Sequence, residues 1–318
     1  MKTVGEVLVQ GLADRGVEVV FGIPGVHTVE LYRGLSGSPV RHVTARHEQG
    51  CAFMADGFAR VSGRPGVAFV ITGPGLTNAL TAMAQAREDS VPMLVISGVN
   101  RRDSLGKGLG LLHELPDQQA MVRALCPSER IEEPAQVGPA LDRAFAAMLG
   151  ARPGPVHIEV PTDVMPLPCP PLAAPLAVSV PPLPDLSQAV RMLDAAQRPL
   201  ILAGGGAKHA GAALQALAEA LDAPVVTTTN ARGLMHGHPL LVPASASLDA
   251  VRGLIHAADL VLAVGTEFGP TEYDMYARGG LPAPPGMIRI DICPDQLARH
   301  PAAVALRAEA GAALAALA

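Results

Sequence analysis

Residues 40–62 read VRHVTARHEQGCAFMADGFARVS and join the two patterns that decide the fold of this chain. The run 40–44 is short and contains β-branched residues, which predicts a strand. Apolar residues then recur three or four positions apart as far as Val61, which predicts a helix. Glu48 stands at the junction, just past the carboxyl end of the predicted strand, where open α/β sheets bind their ligands. The helix dipole alone also favours a glutamate in a first turn, so this position by itself leaves both interpretations open.

The same alternation of strand and helix patterns continues along the chain and predicts an α/β protein with doubly wound parallel sheets. Strands are predicted at 17–21, 40–44, 66–71, 92–97, 155–160, 199–203, 224–228, 259–264 and 287–291. Helices are predicted at 2–15, 26–35, 46–62, 75–87, 134–149, 187–196, 209–221, 248–256 and 303–317. Because helices that connect parallel strands cover both faces of a sheet, we expect three-layer αβα domains.

Proline is dense between the two halves of this pattern, and residues 166–186 show neither the strand period nor the helix period. Proline fixes φ and removes a backbone donor, so such a segment is typical of an extended linker. We therefore predict a first domain at 1–165, a linker at 166–186 and a second domain at 187–318.

The composition argues against several classes of protein. Hydrophobic residues make up 49% of the 318 residues and charged residues 17%, which predicts packed cores rather than disorder. The net charge of −5 gives no basic face for nucleic acid, and no apolar run approaches the roughly eighteen residues of a membrane span. The amino terminus lacks the apolar segment of a signal peptide, and the four cysteines form no C-x-x-C pair, so we expect a cytoplasmic protein.

Two glycine-rich turns follow predicted strands, GIPG at 22–25 and TGPG at 72–75. Glycine permits positive φ and the close approach of a ligand or a second backbone, and proline fixes φ. Val26 and His27 follow the first turn, and Asn78 follows the second. An acid or base supplied by the first loop would have to be His27, although a helix-start residue is an equal alternative.

Together, these two turns and RHEQGCAFMADGFARVSG at 46–63 resemble the pyrimidine-binding module of thiamine-diphosphate enzymes, in the acetolactate synthase and 2-oxoacid decarboxylase superfamily. The resemblance implies that the Glu48 carboxylate hydrogen-bonds N1′ of the aminopyrimidine and so promotes loss of the thiazolium C2 proton. It also implies cofactor contacts from both turns, which are Ile23, Pro24, Gly25, Gly73, Pro74 and Asn78.

Within the superfamily, the chain looks most like the 5-guanidino-2-oxopentanoate (2-ketoarginine) decarboxylase-like branch, with acetolactate synthase large subunits as the alternative. The resemblance implies a small 2-oxoacid as substrate. Substrate contacts are expected from Val26, His27, His113, Glu114, Glu267, Glu272 and Asp274. The last three are acids on one predicted loop and fit a cationic substrate tail, although solvated surface charges are the simpler interpretation.

The second domain carries GGG at 204–206 after a predicted strand, which begins like a dinucleotide-binding turn. The third glycine position of that fingerprint is His209, however, and the domain resembles the central domain of the same superfamily. Some members bind FAD in this domain. We favour a domain without a nucleotide and keep FAD as the less favoured alternative.

The superfamily's second cofactor motif, a Gly-Asp-Gly followed by a later asparagine, is not found in these 318 residues. We therefore expect that a further domain or a partner chain completes the site for thiamine diphosphate with Mg²⁺, and that this chain supplies no metal ligand. The resemblance implies homodimers or homotetramers. Three alternatives from other classes stay open, namely a non-catalytic binding or regulatory relative, one half of a split enzyme, and a nucleotide-binding module.

Overall fold

The computed structural model describes residues 1–280 and 286–318, which form two compact units, Met1–Ser179 and Val180–Ala318. Among the described residues, each unit contains a six-stranded sheet whose strands all pair in parallel. Helices cover these sheets, so the predicted α/β three-layer class is confirmed. No helix of the described part of the chain is long and apolar enough to cross a bilayer.

The strands of the first unit are β1 (Val19–Gly22), β2 (Arg41–Thr44), β3 (Gly66–Val70), β4 (Met93–Val99), β5 (Ser128–Arg130) and β6 (Pro155–Pro161). Their order across the sheet is β2-β1-β3-β4-β6-β5. The strands β1, β3, β4 and β6 are buried along their whole length, as expected for parallel strands covered on both faces. β2 is an edge strand and is mostly exposed.

The helices of the first unit are α1 (Val4–Ala13), α2 (Val29–Leu35), α3 (Glu48–Ser62), α4 (Pro74–Glu88), α5 (Gln118–Arg123) and α6 (Val137–Leu149). Apolar residues of α1, α2 and α6 form one hydrophobic core, and those of α3, α4 and α5 form a second core. The sheet separates the two cores because its side chains alternate between its faces.

The order in which the chain adds strands to this sheet changes direction at β1. It moves from β1 to β2 on one side and then to β3 on the other side of β1. Such a topological switch point opens a crevice at the carboxyl ends of the strands, which is where open α/β sheets bind ligands. The loops that follow β1, β2 and β3 therefore meet at this edge.

The strands of the second unit are β7 (Pro199–Ala203), β8 (Val225–Thr227), β9 (Leu241–Val242), β10 (Leu260–Val264), β11 (Met287–Asp291) and β12 (Val304–Arg307). Its helices are α7 (Ser187–Ala195), α8 (Gly211–Leu221), α9 (Asp249–Ala257), α10 (Met275–Arg278), α11 (Pro294–Arg299) and α12 (Ala310–Leu317). The strand order β12-β11-β10-β7-β8-β9 is that of a doubly wound dinucleotide-binding fold, with its switch point between β7 and β10.

The prediction of a single helix at 303–317 is wrong. Residues 304–307 form β12, which pairs in parallel with β11, and helix α12 begins only at Ala310. Val304 and Leu306 are buried while Ala305 and Arg307 are exposed, so sheet pairing overrides the helical tendency of an alanine-rich segment. The sequence analysis also missed β5, β9, α5, α10 and α11, which are all short.

The proline-rich stretch is not an extended linker over all of 166–186. Pro168 bridges to Thr3, the Cys169 amide donates to the carbonyl of Lys2 at 2.9 Å, and Cys169 is buried. Leu172 and Val178 pack against the core of the first unit. Residues 166–179 therefore belong to the first unit, and α7 begins at Ser187.

Helix α3 lies against β3 through a glycine, and this contact gives a test of the fold. A Cβ at Gly66 would lie 1.9 Å from the carbonyl oxygen of Ala55, whereas a Cβ at Gly57 would meet nothing within 4 Å. We expect Gly66→Ala to destabilise the first unit by about 1–3 kcal/mol through overpacking. We expect Gly57→Ala, inside the same helix, to stabilise it by about 0.5–1 kcal/mol.

The measurement is the urea midpoint of the unfolding transition of the first unit, with the transition of the second unit as an internal control. Equal midpoints for Gly66→Ala and Gly57→Ala would contradict the close approach of α3 and β3.

Candidate functional site

Glu48 is the first residue of α3 and lies at the carboxyl end of β2. The side chain of His47 caps the helix by accepting the amide of Gln49 at 3.1 Å, which fixes where α3 begins. The Glu48 side chain is half-buried, and its Oε2 accepts a hydrogen bond from Nδ2 of Asn78 on α4 at 3.0 Å. The structure thus brings together two of the predicted site residues that are 30 positions apart.

Ile71, which the sequence analysis did not single out, lies between two glycines beside this carboxylate. A Cβ at Gly25 would lie 2.4 Å from Cγ2 of Ile71, and a Cβ at Gly75 would lie 2.7 Å from its Cγ1. The same position at Gly75 is 3.8 Å from Cγ of Glu48. The glycines of the two turns therefore admit an apolar side chain that forms a wall next to Glu48. Its signal in the sequence was its place as the last residue of the strand predicted at 66–71, directly before the TGPG turn.

The turn after β1 is held by Thr28, whose hydroxyl donates to the carbonyl of Gly25 at 3.1 Å and accepts its amide at 3.3 Å. Ile23 is half-buried against the core formed with α3 and α4, while Pro24 is exposed. Val26 is 69% exposed and His27 is only 6% exposed. Of the two residues after this turn, His27 is the one directed into the protein.

The turn after β3 is held by Gln118, another residue that the sequence analysis missed. Its Oε1 accepts the hydroxyl of Thr72 at 2.7 Å and the amide of Gly73 at 2.8 Å. Gly73 has a φ of 59°, and a Cβ there would lie 2.3 Å from the carbonyl oxygen of His113. Pro74 follows as the first residue of α4. Glycine is therefore required at position 73 for two reasons, the positive φ and the close approach of the His113 backbone.

The amide nitrogen of Gln118 connects this turn to a buried polar network on β4 and β6. It donates to Ser97 at 3.1 Å and to Glu159 at 3.0 Å. Glu159 is fully buried, which raises its pKa, and Arg130 pairs with it at 2.6 Å and opposes that rise. Ser97 also bonds to His157, whose complete burial lowers its pKa to about 3. Every member has a partner, as buried polar groups require.

The loop at 101–114 is less cationic than its sequence indicates. Arg101 pairs with Asp103 at 2.7 Å, and Arg102 pairs with Asp163 at 2.8 Å. Glu114 accepts the loop amides of Leu109 and Leu111 at 3.1 and 3.0 Å, and the bond from Leu111 is the main cause of its lowered pKa. Glu114 thus orders its own loop, while His113 lies against the Gly73 turn.

The three acids predicted to bind a substrate tail all have partners within the second unit. Glu267 pairs with Arg299 at 3.8 Å, and Asp274 pairs with Arg278 at 2.8 Å. Glu272 accepts the backbone amide of Thr229 at 3.1 Å. Their charge is therefore partly compensated before any ligand is considered.

The GGG turn of the second unit is explained by contact between two backbones. The amide of Gly206 donates to the carbonyl of Gly265 at 3.0 Å, and a Cβ at Gly204 would lie 2.2 Å from that oxygen. Gly265 itself has a φ of 57°. The loops after β7 and β10 therefore close on each other at the switch point, and the glycines are needed for that approach.

The edge of the first unit fits an aminopyrimidine. It offers the Glu48 carboxylate, an apolar wall at Ile71 and two glycine-rich turns. The buried side-chain atoms that lack a hydrogen-bond partner among the described residues are Nδ1 of His27 and the hydroxyl of Tyr32, both in the segment after β1. No group of three or more acids, histidines or cysteines in residues 1–280 and 286–318 could hold a metal, so we assign no residue to Mg²⁺.

The fold and this site are those of the N-terminal and central domains of thiamine-diphosphate enzymes. Residues 2–121 match the family model "Thiamine pyrophosphate enzyme, N-terminal TPP binding domain", and residues 186–317 match "Thiamine pyrophosphate enzyme, central domain". The chain belongs to the thiamine pyrophosphate enzyme family.

Individual relatives agree with this membership. The chain is 50% identical to "Probable 2-ketoarginine decarboxylase AruI" of Pseudomonas aeruginosa over 99% of its own length and 57% of that protein. It is 35% identical to the acetolactate synthase large subunit of Corynebacterium glutamicum, over 84% of this chain and 44% of that protein. The X-ray structure of a Mycobacterium smegmatis protein assigned as thiamin diphosphate-dependent matches with a TM-score of 0.83 at 26% identity, over 100% of this chain and 62% of that one.

Gln118 gives a prediction for the site. Gln118→Leu keeps most of the side-chain volume. It removes the acceptor of the Thr72 hydroxyl and of the Gly73 amide, and it removes a donor to the Glu159 carboxylate. We expect this change to destabilise the first unit by about 2–4 kcal/mol and to speed hydrogen exchange of the Gly73 amide.

Gln119→Leu is the matched control, because the equally buried Gln119 makes one bond, to the Ser128 carbonyl at 3.2 Å. We expect it to cost about 1 kcal/mol and to leave the Gly73 amide protected. Indistinguishable exchange at Gly73 in the two variants would argue against the role of Gln118 in this turn.

Proposed function

We propose that this chain forms the pyrimidine-binding and central domains of a thiamine-diphosphate-dependent 2-oxoacid decarboxylase of the 2-ketoarginine type. The observation that carries the proposal is the half-buried Glu48 carboxylate, held by Asn78 at 3.0 Å beside Ile71 and the two glycine turns. A carboxylate partly removed from bulk water at the carboxyl edge of a sheet, with a neighbouring apolar wall, is suited to a flat heteroaromatic base with a ring nitrogen.

When bound, thiamine diphosphate supplies the electron sink that makes loss of carbon dioxide from a 2-oxoacid feasible. The part of this chain is to hold a proton between Glu48 and N1′ of the pyrimidine. Asn78 donates to Oε2 of Glu48, so Oε1 would be the oxygen that serves the pyrimidine. Gly25 and Gly75 admit Ile71, which with Ile23 and Pro24 would border the ring.

The diphosphate and Mg²⁺ need further ligands. Mg²⁺ prefers oxygen ligands with octahedral geometry and is usually held by one or two protein carboxylates together with phosphate oxygens. We propose that a further domain or a partner chain supplies them, and that the active site forms in a homodimer or homotetramer. The chain spans 57% of the Pseudomonas aeruginosa relative, and this coverage supports a site of more than two domains.

The proposed substrate is a small 2-oxoacid with a cationic tail. The support comes from the relative named as a 2-ketoarginine decarboxylase, which is 50% identical, against 35% for the acetolactate synthase large subunit. Glu272 is the stronger candidate for the tail, because Glu267 and Asp274 already pair with arginines. Carboligation to acetolactate is the second candidate function.

We propose no nucleotide for the central domain. The glycines of its GGG turn are accounted for by the contact with Gly265, which brings the two backbones together where a pyrophosphate would otherwise approach. FAD stays the less favoured alternative. A non-catalytic relative is disfavoured because Glu48 and its donor Asn78 are both present and hydrogen-bonded.

Glu48 carries the first functional prediction. The experiment uses the chain together with a diphosphate-binding domain. We expect the Glu48→Gln variant to bind thiamine diphosphate. The C2 proton of the cofactor should exchange about 100-fold to 10,000-fold more slowly, because a general acid or base is lost. NMR of C2 deuterium exchange is the measurement. Asn78→Ala should give a smaller loss, since Glu48 keeps its position at the start of α3.

Glu88→Gln, at the exposed end of α4, is the matched control and should exchange the C2 proton at the unmodified rate.

The 318 residues without the added domain should show no Mg²⁺-dependent cofactor binding by calorimetry. C2 proton exchange at the unmodified rate in Glu48→Gln would contradict the proposed role of Glu48.

The substrate proposal predicts a preference of the completed enzyme for 2-ketoarginine over pyruvate, measured as kcat/KM. We expect Glu272→Gln to raise KM for 2-ketoarginine selectively, because the guanidinium would lose a charge-assisted partner. Glu267→Gln, whose carboxylate pairs with Arg299, is the control and should change KM less. Equal use of pyruvate with acetolactate as product would favour the second candidate function.

A further inference from the structure

Arg289, on β11, is a buried cation whose hydrogen bonds go to the backbone. The residue is 1% exposed, and burial is the main cause of its lowered pKa. Its guanidinium donates to the carbonyl oxygens of Leu297 at 3.2 Å, His300 at 3.5 Å and Thr266 at 3.4 Å. A buried charge is costly, and an apolar side chain of similar volume would fill the same space without that cost. The contribution that requires an arginine here is therefore its set of bonds to these carbonyls.

One of these carbonyls belongs to the loop after β10, residues 265–274, which we call the acid loop. The Arg289 guanidinium also lies 4.9 Å from the ring centroid of Phe268, which is fully buried in this loop. The φ angles of Phe268 and Asp274 are 54° and 51°. A left-handed backbone at a bulky residue is strained and persists where the surrounding structure enforces it, commonly at ligand sites. Contacts with Arg289 thus help to hold the acid loop in a strained conformation.

Tyr273 connects the buried side of the acid loop to Glu272, the residue before it. Tyr273 is fully buried, its ring centroid is 5.4 Å from that of Phe268, and its hydroxyl shares a hydrogen bond with that of Thr266 at 3.2 Å. Burial is the main cause of the raised pKa of the Tyr273 phenol. The charge of Glu272 raises this pKa further, and the charge of Arg289 lowers it. Both charges therefore lie close to the same phenol ring.

Glu272 is held by the loop itself and does not use the donors of Arg289. Its amide donates to the carbonyl of Gly269 at 3.1 Å, and its carboxylate accepts the amide of Thr229 at 3.1 Å. The other two acids of the loop pair with arginines. The place of the Glu272 carboxylate therefore depends on the conformation of the loop.

We propose that Arg289 positions Glu272 for the cationic tail of the substrate by holding the acid loop through Thr266 and Phe268. This inference rests on the proposed function, in which Glu272 binds the guanidinium of a 2-ketoarginine-type substrate. Arg289 is buried under the loop and acts through Glu272, so it is a positioning residue and not a catalytic one. Its loss should weaken binding of the cationic tail and leave the chemical step as it is.

The first test measures hydrogen exchange of the Phe268 and Glu272 amides in the 318-residue chain. We expect Arg289→Met, which replaces the guanidinium with an apolar side chain, to speed both exchange rates about tenfold or more through local opening of the loop. Arg198→Met is the matched control, because the exposed Arg198 also donates to a carbonyl, that of Ala257 at 3.0 Å, outside the loop. Equal exchange at Phe268 and Glu272 in the two variants would overturn the inference.

Arg289→Lys keeps the test decisive if Arg289→Met does not fold, which circular dichroism and the urea midpoint of the second unit report. Lysine keeps the charge but offers one compact ammonium in place of the planar guanidinium. We expect a smaller increase in the two exchange rates than in Arg289→Met. Rates equal to those of Arg198→Met would count against the role of Arg289.

The second test uses the enzyme completed with a diphosphate-binding domain and compares Arg289→Met, Glu272→Gln and the double variant. Each single change should raise KM for 2-ketoarginine about tenfold, as for one hydrogen bond to a charged group, with kcat and KM for pyruvate within about twofold. The double variant should stay within about twofold of Glu272→Gln, because Arg289 acts through Glu272. Multiplied losses of about 100-fold in the double variant, or a parallel rise in KM for pyruvate, would overturn the inference.

The same kinetics separate this inference from the proposed function. If Glu272→Gln leaves KM for 2-ketoarginine unchanged, the substrate proposal fails and the inference fails with it. If Glu272→Gln raises this KM and Arg289→Met does not, the substrate proposal stands and the inference alone fails.

Discussion

The position of β1 between β2 and β3 is the constraint on which the rest of the first unit depends. Because the chain leaves β1 in one direction and returns on its other side, the loops after these three strands converge at one edge of the sheet. The carboxylate of Glu48, the GIPG turn and the TGPG turn each follow one of these strands. Sheet topology therefore assembles the candidate site from segments that are distant in sequence.

Backbone contacts through glycine make this convergence close enough to act as a site. Gly73 admits the backbone of His113, Gly98 admits that of His27, and Gly25 and Gly75 enclose Ile71. The buried network centred on Gln118 then fixes the Gly73 turn through hydrogen bonds to both β4 and β6. A site built in this way is pre-organised, since its turns cannot shift without breaking buried hydrogen bonds.

The second unit also has a topological switch point, and there the two loops make a backbone contact. Its strand order is that of dinucleotide-binding folds, yet Gly204 and Gly206 bring the loop after β7 onto Gly265 after β10. The glycines that resemble a nucleotide fingerprint in sequence thus make a backbone contact in structure. The strand order alone therefore does not establish a nucleotide site in this unit, because function depends on the site and not on the topology.

The sequence by itself determined the alternation of strands and helices, the two-unit organisation and the position of Glu48 at a strand end. These features depend on local periodicity and on turn residues. The tertiary structure alone decided the roles of Gln118 and Ile71, the contacts of Arg289 with the acid loop, and the strand at 304–307 within an alanine-rich segment. Each of these depends on contacts between residues distant along the chain, such as the bond between Thr72 and Gln118, 46 positions apart, which no local pattern records.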